Sequence, residues 1–350
     1  MKQFPERLKS ARKMNGLSLQ ELSDALGNSL SKQTLNRLET GEQNPDSQIL
    51  SQLCKSLHVT LDYFFKDNSV SLEHVEFRKL KKLLIKEQEK VKNGTKEYLE
   101  RYLELEDLLG LHYTTPFQLK SYIVKSPSDA DGAAKEMRKI LTIGSDAIYN
   151  IVELLEENNI KVHKTYANPS FSGLSTIIEN KLGVIVYNDH EDIPLVRKRF
   201  TLLHELGHLF MDLSGVDEKT SERLCDCFAG AMLLPEDKIM SYFGGKRTTI
   251  YTNELISIKK NNGISLTAIM YRAKMLNLIS DSYLKYFMIK YNQNLKRLEK
   301  LDYQGREESD RFIQLLMRAV AQEIISSTKA AALNNQTLSE FRDQYLDVNL

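Results

Sequence analysis

The sequence predicts a mainly α chain with a small α+β domain, and three observations carry that expectation. Short apolar-periodic segments broken by turn residues fill the first 66 residues, three extended runs cluster between residues 160 and 187, and helical periodicity resumes afterwards and continues into the tail. At 350 residues with 41% apolar content the chain can bury more than one core, so two to three domains are expected. The formal net charge of +1 gives no global field that would drive it to polyanions.

The first five helices are read from caps and stops. One runs from about Pro5 to Met14. The next starts at Ser18, a natural N-cap with Glu21 three residues on, and reaches Leu26 before Gly27-Asn28 ends it. A third begins at Ser31 and stops at Gly41; two more cover Ser47 to Leu57 and Leu61 to Phe65. Leu22, Ala25, Leu35 and Leu38 are expected in the core. Helix, tight turn and helix near the start of a small helical domain suggest DNA binding, because the second helix of such a pair can lie in the major groove. The segment's nine Lys/Arg against seven Asp/Glu add little to that argument.

From Ser69 to about Leu111 the pattern is helical and charged. Lys79, Lys81, Lys82, Lys86, Lys90 and Lys92 alternate with Glu87 and Glu89, Asn93-Gly94 interrupts, and an apolar stripe resumes from Tyr98 to Leu109. Residues 67–128 are therefore expected to be a helical connector, a pair of helices with a possible dimerisation role.

Residues 129–290 form the next expected unit. Helices are predicted over Ala133 to Leu141 and Asp146 to Asn158, followed by strands at Ile160 to His163, Leu174 to Ile178 and Gly183 to Tyr187. A short sheet beside a functional helix offers an edge with which an extended peptide can pair. Asp192-Ile193-Pro194 then starts a helix whose apolar face is Phe200, Leu202, Leu203, Leu206, Leu209 and Phe210. That helix carries His204-Glu205-Leu206-Gly207-His208. Residues four apart share a face, so His204 and His208 can offer imidazole nitrogens to one ion, and Glu205 can take a proton from water at the open coordination position. A catalytic zinc needs a third ligand. Glu222 and Asp226, four apart on the next predicted helix, can supply it, Glu222 closing the site and Asp226 accepting the ring N–H of a ligand histidine. His163 and His190 are expected at strand ends or on the surface. Tyr242, Tyr251, Tyr271 and Arg272 are open alternatives for stabilising an oxyanion. Site chemistry favours zinc, although manganese is also open.

Three cysteines occur, Cys54, Cys225 and Cys227. The last two are too close within a helix to bridge comfortably and lack a second pair, so they read as core residues of a protein in a reducing cytoplasm. With charges throughout the N-terminus and no apolar run of about 18 residues, neither secretion nor a membrane span is expected. Residues 291–350 read as a helical tail, with a second helix-turn-helix pattern at Ala330 to Phe341 left unassigned.

Two family resemblances follow from these motifs. Ser18-Leu19-Gln20-Glu21-Leu22-Ser23, Ser31 through Gly41, and Asn44-Pro45 resemble the Cro/cI-type (XRE) helix-turn-helix family. The resemblance implies a five-helix lambda-repressor-like DNA-binding domain over residues 1–66, operator DNA as partner, a homodimer, and base or phosphate contacts from Ser31, Lys32, Gln33, Asn36 and Arg37. Arg199 through His208, Glu222 to Asp226, Phe228-Ala229 and Leu233-Leu234-Pro235 are similar to the ImmA/IrrE family of bacterial metallopeptidases. That implies a zincin-like domain with Zn(2+) on His204, His208 and Glu222, Glu205 as base, and a protein or peptide substrate: a repressor, a toxin partner or the chain itself. Cys225-Asp226 departs from the family's usual Ala-Asn or Ala-Asp. The expected function is a phage-related type of transcription regulator with an endopeptidase domain; the alternative is a non-proteolytic repressor or antitoxin that uses the zincin-like domain for sensing or docking.

Overall fold

The computed structural model describes residues 3–65, 83–111, 115–178, 181–295 and 303–346. These divide into two compact units, one of 3–65, 83–111 and 310–346 and the other of 115–178, 181–295 and 303–309.

The first unit opens with helices α1 (Phe4–Met14), α2 (Leu19–Ala25), α3 (Lys32–Thr40) and α4 (Ser47–Leu57), and a 3-10 turn over Leu61–Phe65. Local chemistry sets each start. Ser18 and Glu21 close a capping box on α2, the Ser31 hydroxyl accepts the Thr34 N–H at the head of α3, and Asp46 accepts Ile49 N–H on α4. Gly41 ends α3 in the left-handed region at φ 77°. Leu22, Leu35 and Leu38 are buried with Phe4, Leu8, Leu53 and Phe64. Ala25, expected in that core, is exposed. The inward stripe of α2 runs through Leu19, Leu22, Ser23 and Leu26, and Ala25 lies roughly a third of a turn off it. Buried Ser23 satisfies its hydroxyl by donating to Leu30 O at 2.6 Å.

Helix α5 (Ile85–Leu108) is one uninterrupted 24-residue helix, so the break expected at Asn93-Gly94 does not occur. Asn93 donates its side-chain amide to Glu89 O, and the face of Val91, Leu99, Tyr102 and Leu105 is fully buried. That packing outweighs the ~1 kcal/mol a mid-helix glycine costs. Ion pairs tie α5 to the first helices: Arg7 to Glu100 at 2.5 Å, Lys13 to Glu89 at 2.5 Å and Lys86 to Glu21 at 2.6 Å. Arg7 also lies over the Tyr63 ring. Lys79, Lys81 and Lys82 of the expected lysine run lie outside the described residues. Three tail helices, Arg311–Ala321, Ser327–Leu333 and Leu338–Phe341, complete this unit by packing Leu315, Leu316, Ala319, Leu333 and Phe341 around Tyr102 and Leu105.

The second unit contains β1 (Tyr122–Ile123), α6 (Pro127–Ile140), α7 (Ile151–Glu157), β2 (Lys161–Thr165), β3 (Gly173–Ile178), β4 (Leu182–Asn188), α8 (Leu195–Phe210), β5 (Met211–Asp212), α9 (Glu218–Leu233), α10 (Glu236–Phe243), α11 (Thr252–Asn262), α12 (Leu266–Met275) and α13 (Asp281–Lys290). Strands β2, β4 and β3 form a sheet in that order, with β2 parallel and β3 antiparallel to a wholly buried β4. β1 pairs with β5. Helix α6 starts earlier than expected because Ser126 and Asp129 form a capping box that encloses Pro127, the first residue of the helix. α7 is shorter than the expected Asp146 to Asn158, since Asn150 caps it and the Ile148 and Tyr149 carbonyls are taken by Arg199. Helix α9 packs on both α6 and α8. Leu202, Leu203, Leu206, Leu209 and Phe210 anchor α8, a burial worth on the order of 10 kcal/mol. Among the described residues no helix is long and apolar enough to cross a membrane.

Candidate metal centre and nucleic-acid interface

His204 and His208 sit one turn apart on α8, and their Nε2 atoms approach to 3.2 Å. Helix α9 brings Glu222 onto the same point: Oε2 lies 3.3 Å from His204 Nε2 and Oε1 lies 3.1 Å from His208 Nε2. Gly207 permits that approach of α9 to α8. A Cβ there would stand 3.1 Å from the Phe228 ring and 3.2 Å from Met211 Cε, and Phe228 belongs to α9. Asp226, one turn beyond Glu222, places Oδ1 2.8 Å from His204 Nδ1. With that ring N–H donated to the carboxylate, His204 Nε2 presents a lone pair to the space it shares with His208 and Glu222.

The donor set can be tested against a cation. A tetrahedral zinc with bonds of about 2.0–2.1 Å separates its ligands by about 3.3 Å. Here the two Nε2 atoms are 3.2 Å apart, and the Glu222 carboxylate reaches each of them with a different oxygen, Oε1 at 3.1 Å from His208 and Oε2 at 3.3 Å from His204. Two imidazole nitrogens and a carboxylate fit such an ion, and a positive charge between them offsets the repulsion of lone pairs held this close. One corner of the tetrahedron is left for water or for another group.

Glu205, next to His204 on α8, is 2% exposed. Its Oε2 accepts a hydrogen bond from Ser175 Oγ at 2.8 Å. Ser175 lies on β3, an edge of the sheet; its sequence surroundings give no signal for this contact, which joins residues 30 apart. A second feature escaped the sequence: Cys225 Sγ and one ring nitrogen each of His204 and His208 lie within 4.8 Å of one another. Cys227 is not part of that cluster; burial chiefly pushes its thiol up, with Asp226, Arg223, Arg272 and Asp131 as its charged neighbours. His190 is occupied locally, its Nδ1 accepting the Asp192 N–H. His163 lies half-buried on β2 and is not part of the cluster. Of the four oxyanion alternatives, Arg272 is buried, donates to Leu234 O and pairs with Asp131, and the Tyr242 hydroxyl accepts from Asn262. Tyr251 and Tyr271 are exposed.

The base of α8 is held from a distance. Arg199 is fully buried and pairs with Glu307, donates to Ile148 O at 2.6 Å and Gly263 O at 3.1 Å, and lies over the Tyr303 ring. Glu307 also accepts the Ile151 N–H at 2.6 Å at the start of α7.

On the first unit, Ser31, Lys32, Gln33, Asn36 and Arg37 are all exposed on one side of α3, while Leu35 and Leu38 face inward. Arg12 clamps this helix through a two-pronged pair with Glu39 at 2.6 and 2.8 Å. Ser31 has a structural task too, as the cap of α3.

Comparison with known proteins agrees with both units. The helix-turn-helix family model matches residues 8–64, and the model of the IrrE N-terminal-like domain, a peptidase family, matches residues 156–274. No curated protein matched the chain. The second match spans β2 through α12 and so contains every residue of the histidine cluster; the family implies a metal ion there. A helix-turn-helix domain joined to such a domain is the make-up of a DNA-binding regulator that carries a peptidase-type domain. The chain thus joins a segment that matches the XRE-type helix-turn-helix family, residues 8–64, to one that matches the IrrE-like peptidase family, residues 156–274.

Proposed function

We propose that this chain is a cytoplasmic transcription regulator whose IrrE-like domain is a zinc-dependent endopeptidase acting on a regulatory protein, whether a repressor, a partner or another copy of the chain. The observation that carries the reading is the convergence of His204, His208 and Glu222 at tetrahedral spacing beside buried Glu205. His204, His208 and Glu222 would hold the ion. When bound, zinc supplies Lewis acidity that acidifies water and polarises a peptide carbonyl. Glu205 accepts the proton of the attacking water and returns it to the leaving amine. Ser175 orients the Glu205 carboxylate, Asp226 holds His204 in the tautomer with a free Nε2, and the β3 edge pairs with an extended substrate backbone.

In this reading residues 1–66 bind operator DNA, with Ser31, Lys32, Gln33, Asn36 and Arg37 toward bases and phosphates. Residues 67–128 connect and dimerise, 129–290 form the peptidase, and 291–350 are a helical tail. A homodimer would match two operator half-sites.

Glu205→Gln tests the enzymatic claim. Cleavage of the regulatory target in cells should be lost while metal content and operator binding stay at wild-type levels. Unchanged cleavage in this variant would contradict Glu205 as base, and unchanged operator affinity in Lys32→Ala with Arg37→Ala would contradict the recognition face.

A further inference from the structure

We propose that Cys225 is a fourth protein donor to this metal centre, its sulfur competing with water for the position a peptidase must keep open. The inference deepens the metal-site reading above and rests on it.

Cys225 lies on α9 one turn after Glu222, on the face that meets α8, and is fully buried. A buried cysteine is ordinarily a small hydrophobe among hydrophobes. This one sits at the edge of the hydrophobic core, and its Sγ also forms a cluster with one ring nitrogen each of His204 and His208 in which no separation exceeds 4.8 Å. With zinc–sulfur bonds of about 2.3 Å and zinc–nitrogen bonds of about 2.0–2.1 Å, a tetrahedral S···N edge is about 3.6 Å. Within that trio the widest separation therefore has to close by about 1 Å, less than a change of χ1 moves a cysteine sulfur.

Two consequences follow from the chemistry of the donor set. Two imidazoles, one carboxylate and one thiolate fill four positions, so the centre rests in the closed form characteristic of structural zinc, and water gains the fourth corner only when sulfur leaves it. A thiolate also biases the site toward zinc and against manganese, which prefers oxygen donors. Cys227, two residues on and so about 200° round the helix from Cys225, serves as an internal control.

The experiment is cobalt(II) loading of the full chain, read by absorption spectroscopy. Wild type should show visible d–d bands of a tetrahedral site together with a near-ultraviolet sulfur-to-cobalt charge-transfer band. The charge-transfer band should vanish in Cys225→Ala and persist in Cys227→Ala, with d–d bands retained in both. Cys225→Ser, which keeps the side chain's shape, must lose the band as well, so a packing effect of the alanine cannot imitate the result. Zinc should also lose part of its advantage over manganese in a competition with Cys225→Ala. Wild-type d–d bands without charge transfer, or a charge-transfer band that survives in Cys225→Ser, would overturn the role of Cys225 alone. Failure of wild type to bind cobalt would overturn the His204, His208 and Glu222 centre itself.

Discussion

Glu307 and Glu308 are chain neighbours with opposite energetic weight, which makes them a sharp test of what holds the metal helix. Glu307 and its partner Arg199 have side chains 2% and 0% exposed, and the carboxylate also accepts N–H groups of Ile151 and Val152. Glu307→Ala leaves a guanidinium buried without its counter-charge and orphans those two backbone donors, for a cost of about 3–5 kcal/mol. For a unit of this size, roughly 2–4 °C per kcal/mol gives a fall of about 6–20 °C in melting temperature. Glu308 pairs with Lys164 at 4.0 Å and Arg306 at 3.0 Å, all half-exposed or more, so Glu308→Ala should cost less than about 1 kcal/mol. Calorimetry supplies the melting temperatures, and native-state hydrogen exchange at Val184, Ile185 and Val186 of buried β4 reports the same unit directly. Equal losses in the two variants would refute the claim that the Arg199 network, rather than general packing of residues 303–309, fixes the start of α8.

Gly207→Ala should weaken metal retention although alanine favours helix by about 1 kcal/mol, because the added Cβ meets buried Phe228 and Met211 at 3.1 and 3.2 Å and overpacking costs about 1–3 kcal/mol. Zinc competition with a chelator measures it, and wild-type retention would show that α9 can yield without moving Glu222. The Glu21 carboxyl is held down to about 2 chiefly by the hydrogen bond from Lys86, then by the Ser18 cap. Since its folded value lies below the usual one, its contribution to the α2 cap is present above about pH 4.5 and fades as pH falls through about 2. Carboxyl NMR should find that midpoint, and Lys86→Ala should move it upward; an unmoved midpoint contradicts the Lys86 pairing.

Much of this was legible because it is local. The four-residue spacings of His204 with His208 and of Glu222 with Asp226 put each pair on one helical face, and Ser18, Ser31 and Gly41 mark helix ends wherever they occur. The remainder depends on distant residues. Nothing near Asn93-Gly94 says that α5 is clamped by Arg7 and Lys13 strongly enough to run through it. Nothing near Asp146 says that Arg199 will claim the carbonyls preceding α7. The capping box at Ser126 was visible in principle, as a serine before proline with an acid three residues on. Ala25 shows the limit of periodicity in a seven-residue helix, where Leu22 and Leu26 set the stripe and a small residue beside it gives no warning. Cys225 was read as core, and its burial agrees; its neighbours are what composition could not supply.

The central claim is that two turns of α8 and one of α9 build a zinc site, and metal content tests it most directly. Elemental mass spectrometry on the untagged chain should find about one zinc per wild-type chain, with loss in both His208→Ala and Glu222→Ala and retention in Glu205→Gln. A wild-type chain that takes up no metal when zinc is supplied, or a Glu222→Ala variant that keeps a full complement, would contradict it.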